Sequence, residues 1–326
     1  MSITIVMNLS APICLGATTA MGAGFGLALN YYAPTVLVEP STFALVGAGF
    51  GAVMGGLGML TAAVTNPDRP VKLATLYKAL MKDQYRFVKK FTGGKSGCHV
   101  VLATQRSDNK MVVLKMPRPN SDVVNIRYRS EHISFEYHVA IRINSPYVMK
   151  GLAYFTNNDD RENYFVAVYE YVPGLTLQDH LEQKGPLTLV EAKEIFTALA
   201  KGLRDMDQAG YVHGDTGPGN VVLHPERKGV WIDLQYAMEQ SGQIQVQLEY
   251  WAALLRKAVT YGQTSRMGDA QLTGGMTVQE IIHLRLSQIR DSEFQKIVDR
   301  IFKKNGAAPY PNFDSLIADL EQWRPS

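Results

Sequence analysis

Cysteine is scarce in this sequence: among 326 residues there are two, Cys14 and Cys98. Two cysteines cannot form a disulfide framework, and no Cys-x-x-Cys pair or Cys/His cluster offers a structural zinc site. The globular part therefore reads as one made for a reducing compartment. Internal repeats, sustained heptads and collagen-like composition are also missing, which excludes solenoids, coiled coils and fibrous proteins. The most uneven shortage is of charge. Of 33 basic and 30 acidic residues, one, Glu39, lies within residues 1–67.

That poverty of charge gives residues 1–67 their reading as a transmembrane hairpin. Two charge-free stretches, about 9–29 and 42–64, are each long enough to cross a hydrocarbon core of about 30 Å as a helix. Between them, Asn30-Tyr-Tyr-Ala-Pro and Glu39-Pro-Ser supply turn residues and interfacial tyrosines. Small residues four apart, Gly22/Gly26 and Gly47/Gly51/Gly55, suit close packing of two helices in lipid. The rival readings are a signal peptide, opposed by the lack of Lys or Arg before the apolar run, and a buried Gly/Ala-rich soluble segment.

A basic linker at 68–84, continued to residue 90, follows directly. Arg69, Lys72, Lys78, Lys82, Arg86, Lys89 and Lys90 face only Asp68 and Asp83 there. The positive-inside rule then sets an integral membrane protein with both termini and the globular part on the cytoplasmic side. This collar accounts for the net charge of +3 and the isoelectric point near 8.7, so neither points to nucleic acid. Membrane lipid is the expected partner, and anionic headgroups suit the collar. The hairpin also resembles the paired hydrophobic lobes of chlamydial inclusion-membrane proteins and of other secreted bacterial effectors, which would imply a host membrane.

From Tyr85 onward the pattern changes to strands and turns, then to amphipathic helices. Phe87-Val88, His99–Ala103, Met111–Lys115 and Tyr164–Tyr169 read as strands, and Ser130–Ile143 has helical spacing. Residues 187–209 predict a long helix with Ile195, Phe196, Leu199, Leu203 and Met206 on one face and Gly210 as its stop. A strand-rich half joined to a helix-rich half predicts an α+β, two-lobed domain.

The most informative segment is Tyr211-Val-His-Gly-Asp-Thr-Gly-Pro-Gly-Asn-Val-Val-Leu223, followed by Val230-Trp-Ile-Asp-Leu-Gln235. Here the chain resembles the protein kinase-like superfamily. The match is His213-Gly214-Asp215 with Asn220 as catalytic loop and Asp233 as the metal-binding aspartate. Lys115 ends a strand like that family's Val-Ala-Ile-Lys, and Glu136 fits the helix glutamate that pairs with the lysine, with Glu131 as a competing choice. Tyr169–Gly174 looks like the hinge. The resemblance covers about residues 85–323 and implies a bilobal kinase-like fold, with an N-lobe at 85–169 and a C-lobe at 173–326. It also implies ATP and Mg²⁺ as cofactors. Lys115 would hold phosphates, as would the glycine-rich turn of Gly93, Gly94 and Gly97. The backbone around Glu170 and Val172 would hold adenine, Asn220 and Asp233 the metal, and Asp215 the attacking hydroxyl. His213 reads as a structural loop residue and not as a base.

The chain departs from that family in several places. The glycine loop lacks the full G-x-G-x-x-G order. A Walker A loop is rejected, because Lys89 stands where that motif needs glycine and a strand follows. Gly214 replaces the arginine that, in many protein kinases, pairs with a phosphorylated activation loop, so control of that kind is not expected. Gly217 stands where Ser/Thr kinases carry a lysine, Leu234-Gln235 replaces Phe-Gly, and no Ala-Pro-Glu motif follows. The His-Gly-Asp form is closer to aminoglycoside-type phosphotransferases. Three readings stay open: a membrane-anchored, Mg·ATP-dependent kinase acting on a protein Ser/Thr hydroxyl, a small-molecule or lipid phosphotransferase, and a pseudokinase scaffold.

Overall fold

The computed structural model describes residues 3–7, 73–91, 97–118, 123–157, 164–239, 243–262 and 276–326. The two stretches read as membrane spans lie outside the described residues, as do Gly93 and Gly94. Among the described residues, no helix is long and apolar enough to cross a membrane. The described chain divides into two compact units. Unit 1 runs to Ile141 and resumes over Lys150–Tyr171; unit 2 comprises Arg142–Met149 and Val172–Ser326.

Unit 1 is an antiparallel sheet with helices on it. Its strands are β1 (Ile3–Met7), β2 (Tyr85–Lys90), β3 (Cys98–Gln105), β4 (Met111–Pro117), β5 (Gly151–Asn157) and β6 (Tyr164–Glu170), in the order β1-β5-β6-β4-β3-β2. Alternation along the strands assigns residues to the two faces. Val112, Leu114 and Met116 of β4 join Val166 and Val168 of β6 and Phe155 of β5 in one buried cluster. Leu76 and Leu80 of helix α1 (Leu73–Asp83), one turn apart, complete that cluster. Burial of these two leucines is the physical reason that the segment read as a linker is instead partly a docked helix.

Residues of the other parity, Lys115 and Phe165, belong to the side served by helix α2 (Val123–Arg142). This helix starts seven residues before the expected Ser130. Its stripe Ser130, Ile133, Tyr137 and Ala140 is buried, and Ile126 ahead of it joins the cluster that holds Leu76 and Leu80. Tyr137 meets Tyr154 and Phe165, at ring-centre distances of 5.2 and 5.9 Å. The Ser130 hydroxyl accepts a 2.9 Å bond from the Phe165 amide, which pins the helix to β6 in one register.

Unit 2 is mainly helical, as the sequence predicts. It carries α3 (Leu177–Lys184), α4 (Leu189–Gln208), α5 (Ile244–Val259), α6 (Val278–Ser287), α7 (Ser292–Phe302) and α8 (Phe313–Gln322). Thr188 and Glu191 form a capping box at the start of α4, and the five apolar residues expected on its inner face are all buried. Short strands complete the unit: β7 (Leu175–Thr176), β8 (Tyr211–Val212), β9 (Val221–His224), β10 (Lys228–Trp231) and β11 (Met238–Glu239). Trp231, at the end of β10, donates its indole N–H to the Leu199 carbonyl at 2.9 Å. Its backbone also bonds Tyr147 and Met149, which ties residues 142–149, between α2 and β5 in the chain, to this unit.

Candidate active site

In unit 1 the site is an ion pair. Lys115 on β4 and Glu136 on α2 meet at 2.7 Å between Nζ and Oε2, with side chains 7% and 1% exposed. Burying two charges costs several kcal/mol each unless they pair well. The pair therefore needs a fixed geometry, which the central strand and the pinned helix supply. Glu131 is excluded as the partner: it pairs with Arg127 at 3.4 Å on the exposed side of the same helix. Gly97, at the start of β3, has φ +71°, and a Cβ there would lie 2.9 Å from Nε of Arg129. The last glycine of the loop is thus favoured by its left-handed backbone, while the flexible Arg129 side chain could give way to a Cβ. Sequence reasoning passed over Arg129, which lies two turns before Glu136 on α2. At the end of β6 the Glu170 amide donates to the Lys150 carbonyl at 2.9 Å, so an adenine contact through Glu170 would use its carbonyl.

In unit 2 the site is a turn. His213 follows β8 and is buried, with its ring 4.7 Å from that of Trp231. Burial pulls its pKa down to about 4, against the opposing pull of Asp215 and Asp233, so the imidazole is neutral near pH 7. Its Nδ1 accepts a long 3.4 Å bond from the Asp215 amide, a structural role that matches the sequence reading. Asn220, at the end of the 3₁₀ turn Pro218–Asn220, donates Nδ2 to the Asp215 carbonyl at 3.0 Å. The Asn220 carbonyl in turn accepts from the Ile232 amide at 2.9 Å. Asn220 thereby links Asp215, through its side chain, to the residue before Asp233, through its carbonyl.

Asp233 has φ +60°, a left-handed conformation that costs about 1–2 kcal/mol for a non-glycine residue. Strain of this kind collects at functional sites. Val172, the other expected hinge residue, is buried in this unit. A Cβ at Gly217 would lie 3.3 Å from Oδ1 of Asp215, so the position where Ser/Thr kinases carry lysine sits beside this carboxylate.

Gly214 has a sharper reason than its place in the motif. Its φ is +76°, and a Cβ would fall 1.9 Å from the Tyr236 carbonyl oxygen. The chain after Asp233 doubles back over the catalytic turn, and β11 pairs with β8 through Met238 opposite Val212. Helix α5 begins at Ile244, so the activation segment is limited to residues 234–243. Arg142, unremarked in the sequence, fastens this arrangement: it donates to the Tyr211 hydroxyl at 2.5 Å and pairs with Glu239 at 3.7 Å.

No group of three His, Cys, Asp or Glu side chains suited to a metal occurs among the described residues. The donor set fits Mg²⁺ nonetheless. That ion keeps several waters and needs one or two hard oxygens. With Nδ2 of Asn220 committed to Asp215, its Oδ1 is the ligand it can offer beside the Asp233 carboxylate.

Comparison with known proteins agrees with this chemistry. The protein kinase domain profile matches residues 85–253. The proline-rich receptor-like protein kinase PERK13 of Arabidopsis thaliana is 25% identical over 248 residues, covering 72% of this chain and 34% of that protein. Serine/threonine-protein kinase D of Synechocystis sp. is 26% identical over 168 residues, 50% of this chain and 32% of the relative. Serine/threonine-protein kinase PknA of Nostoc sp. is 28% identical over 171 residues, 51% and 29% respectively. The chain spans about a third of the length of these relatives. With the family profile over half of its residues and the paired lysine and glutamate in place, the chain belongs to the protein kinase domain family.

Proposed function

We propose that the chain is a membrane-anchored, Mg·ATP-dependent kinase that transfers the γ-phosphoryl group to a Ser or Thr hydroxyl of a protein. The buried Lys115–Glu136 pair carries this reading, since a lysine held at such cost has a clear use in gripping nucleotide phosphates. The Asp215 carboxylate accepts the hydroxyl proton while the hydroxyl oxygen bonds to the γ-phosphorus and the bond to the ADP oxygen breaks. Mg²⁺, held by Asn220 and Asp233, would neutralise charge on the phosphates. Relatives named as serine/threonine-protein kinases support a protein acceptor. The charge-poor sequence before Asp68, with Glu39 its single charge, supports the anchor, with both ends of that stretch facing the cytoplasm. The secreted-effector setting rests on the hairpin's resemblance alone.

One observation favours a second reading. The Tyr236 carbonyl packed on Gly214 leaves a short segment, 234–243, where a protein substrate usually docks, and a small hydroxyl acceptor needs less platform. Full-length chain in detergent, given γ-labelled ATP and Mg²⁺ with mixed protein substrates, tests both. Label is expected on protein Ser/Thr and absent with Asp215→Ala or Asp233→Ala. Label on small molecules alone would select the second reading. Nucleotide binding without transfer would leave a pseudokinase. Extraction at alkaline carbonate pH should leave the chain in the membrane pellet, and release would refute the anchor.

A further inference from the structure

The surface formed by α1 and β2 is unlike the rest of unit 1. Lys78 and Lys82 lie one turn apart on the exposed side of α1. Along β2, a sheet edge, Arg86, Lys89 and Lys90 are exposed, and the only acid on these two elements is the half-buried Asp83. Lysines on an edge strand are ordinary protection against edge-to-edge pairing. That purpose does not explain Phe87 and Val88, adjacent apolar side chains that are 50% and 45% exposed amid the charges. A bulge between Phe87 and Lys89 breaks the alternation of the strand, and five consecutive residues stand exposed after Tyr85. The positive field is felt by neighbours: besides burial, Lys90 and Arg118 depress the pKa of His99 on β3.

We propose that the α1–β2 face is a docking surface for an anionic lipid bilayer, with Lys78, Lys82, Arg86, Lys89 and Lys90 on the headgroups and Phe87 and Val88 in the interface. Charge complementarity selects a polyanionic partner, and the exposed apolar pair selects a bilayer over nucleic acid or an acidic peptide. The charge-poor sequence read as an anchor ends at Pro67, six residues before α1 begins, and the inference rests on that anchor reading for bringing this face to a membrane. The inference does not rest on phosphoryl transfer.

Full-length Phe87→Trp tests it by quenching from bromine-labelled lipid. The native tryptophans, Trp231, Trp251 and Trp323, are buried and out of reach of such a quencher. Vesicles are phosphatidylcholine alone, or phosphatidylcholine with phosphatidylserine at three to one. Quenching is expected in the anionic vesicles and not in the neutral ones. It should vanish at an ionic strength of about 1 M, where the screening length is about 3 Å. Each added Lys→Gln change on this face should weaken the contact about fivefold, while Lys296→Gln, exposed on unit 2, should leave it unchanged. Equal quenching in both vesicle types, quenching in neither, or binding to soluble polyglutamate with no lipid quenching would overturn the proposal.

Discussion

The two halves of the candidate site are held by different physics. In unit 1, Lys115 and Glu136 hold each other: the geometry is a side-chain ion pair in a nearly dry setting, and its stability depends on both charges being present. In unit 2, Asp215, Asn220 and Asp233 are held by backbone: a glycine that admits a carbonyl, a left-handed aspartate and amide-to-carbonyl bonds. Charge changes should therefore break the first half, and shape changes the second.

The largest expected effect is from Glu136→Ala, which removes the buried carboxylate that Lys115 meets at 2.7 Å and should cost roughly 3–5 kcal/mol in urea unfolding. Removing both charges as Lys115→Met with Glu136→Leu should recover most of that stability while leaving no phosphoryl transfer. A double variant as unstable as the single one would break the comparison on the side of charge.

Next is Gly214→Ala, which puts a methyl group against the Tyr236 carbonyl and forces φ +76° on a non-glycine residue. A loss of roughly 2–4 kcal/mol is expected from overpacking and strain together. Thermal unfolding reads it directly, and a shift no larger than that of a surface substitution would mean the activation segment packs elsewhere.

His213 links the backbone half to pH. Its folded pKa lies near 4, below the ordinary 6.5, so the unfolded chain binds a proton first as pH falls. Its contribution is complete above about pH 6.5 and is lost between there and about pH 4, up to about 3 kcal/mol for this one group. Urea melts across that window should show a steeper decline for wild type than for His213→Leu. Parallel declines would place the acid sensitivity in other groups.

The smallest effect is the control. Glu131→Gln breaks an exposed pair on the same helix as Glu136 and should change stability by no more than about 0.5 kcal/mol, with transfer intact. A loss comparable with that of Glu136→Ala would show that helix position, and not burial of the pair, sets the cost.

The catalytic turn was legible in the sequence because its chemistry is local: Asp215, Asn220 and Asp233 stand at fixed spacings that no tertiary contact has to supply. The choice between Glu131 and Glu136 was not, since each is a plausible helix glutamate until a long-range bond, Phe165 to Ser130, fixes the register of α2. Helix α1 was hidden by its lysines, which made Leu76 and Leu80 look like part of a charged linker. Strand β1 pairs with β5 across some 150 residues of sequence, so no local pattern could announce it. The reason for Gly214 is likewise non-local: substitution of the arginine was visible, but the Tyr236 carbonyl that fills the space was not.

The central claim is that unit 2 keeps a strained carboxylate in place for phosphoryl transfer. Asp233→Gly tests it most directly, by thermal unfolding and labelled-ATP transfer on the same full-length sample. The account predicts loss of transfer with thermal unfolding still cooperative, since glycine adopts the left-handed φ of +60° freely. Transfer at the wild-type rate would contradict it.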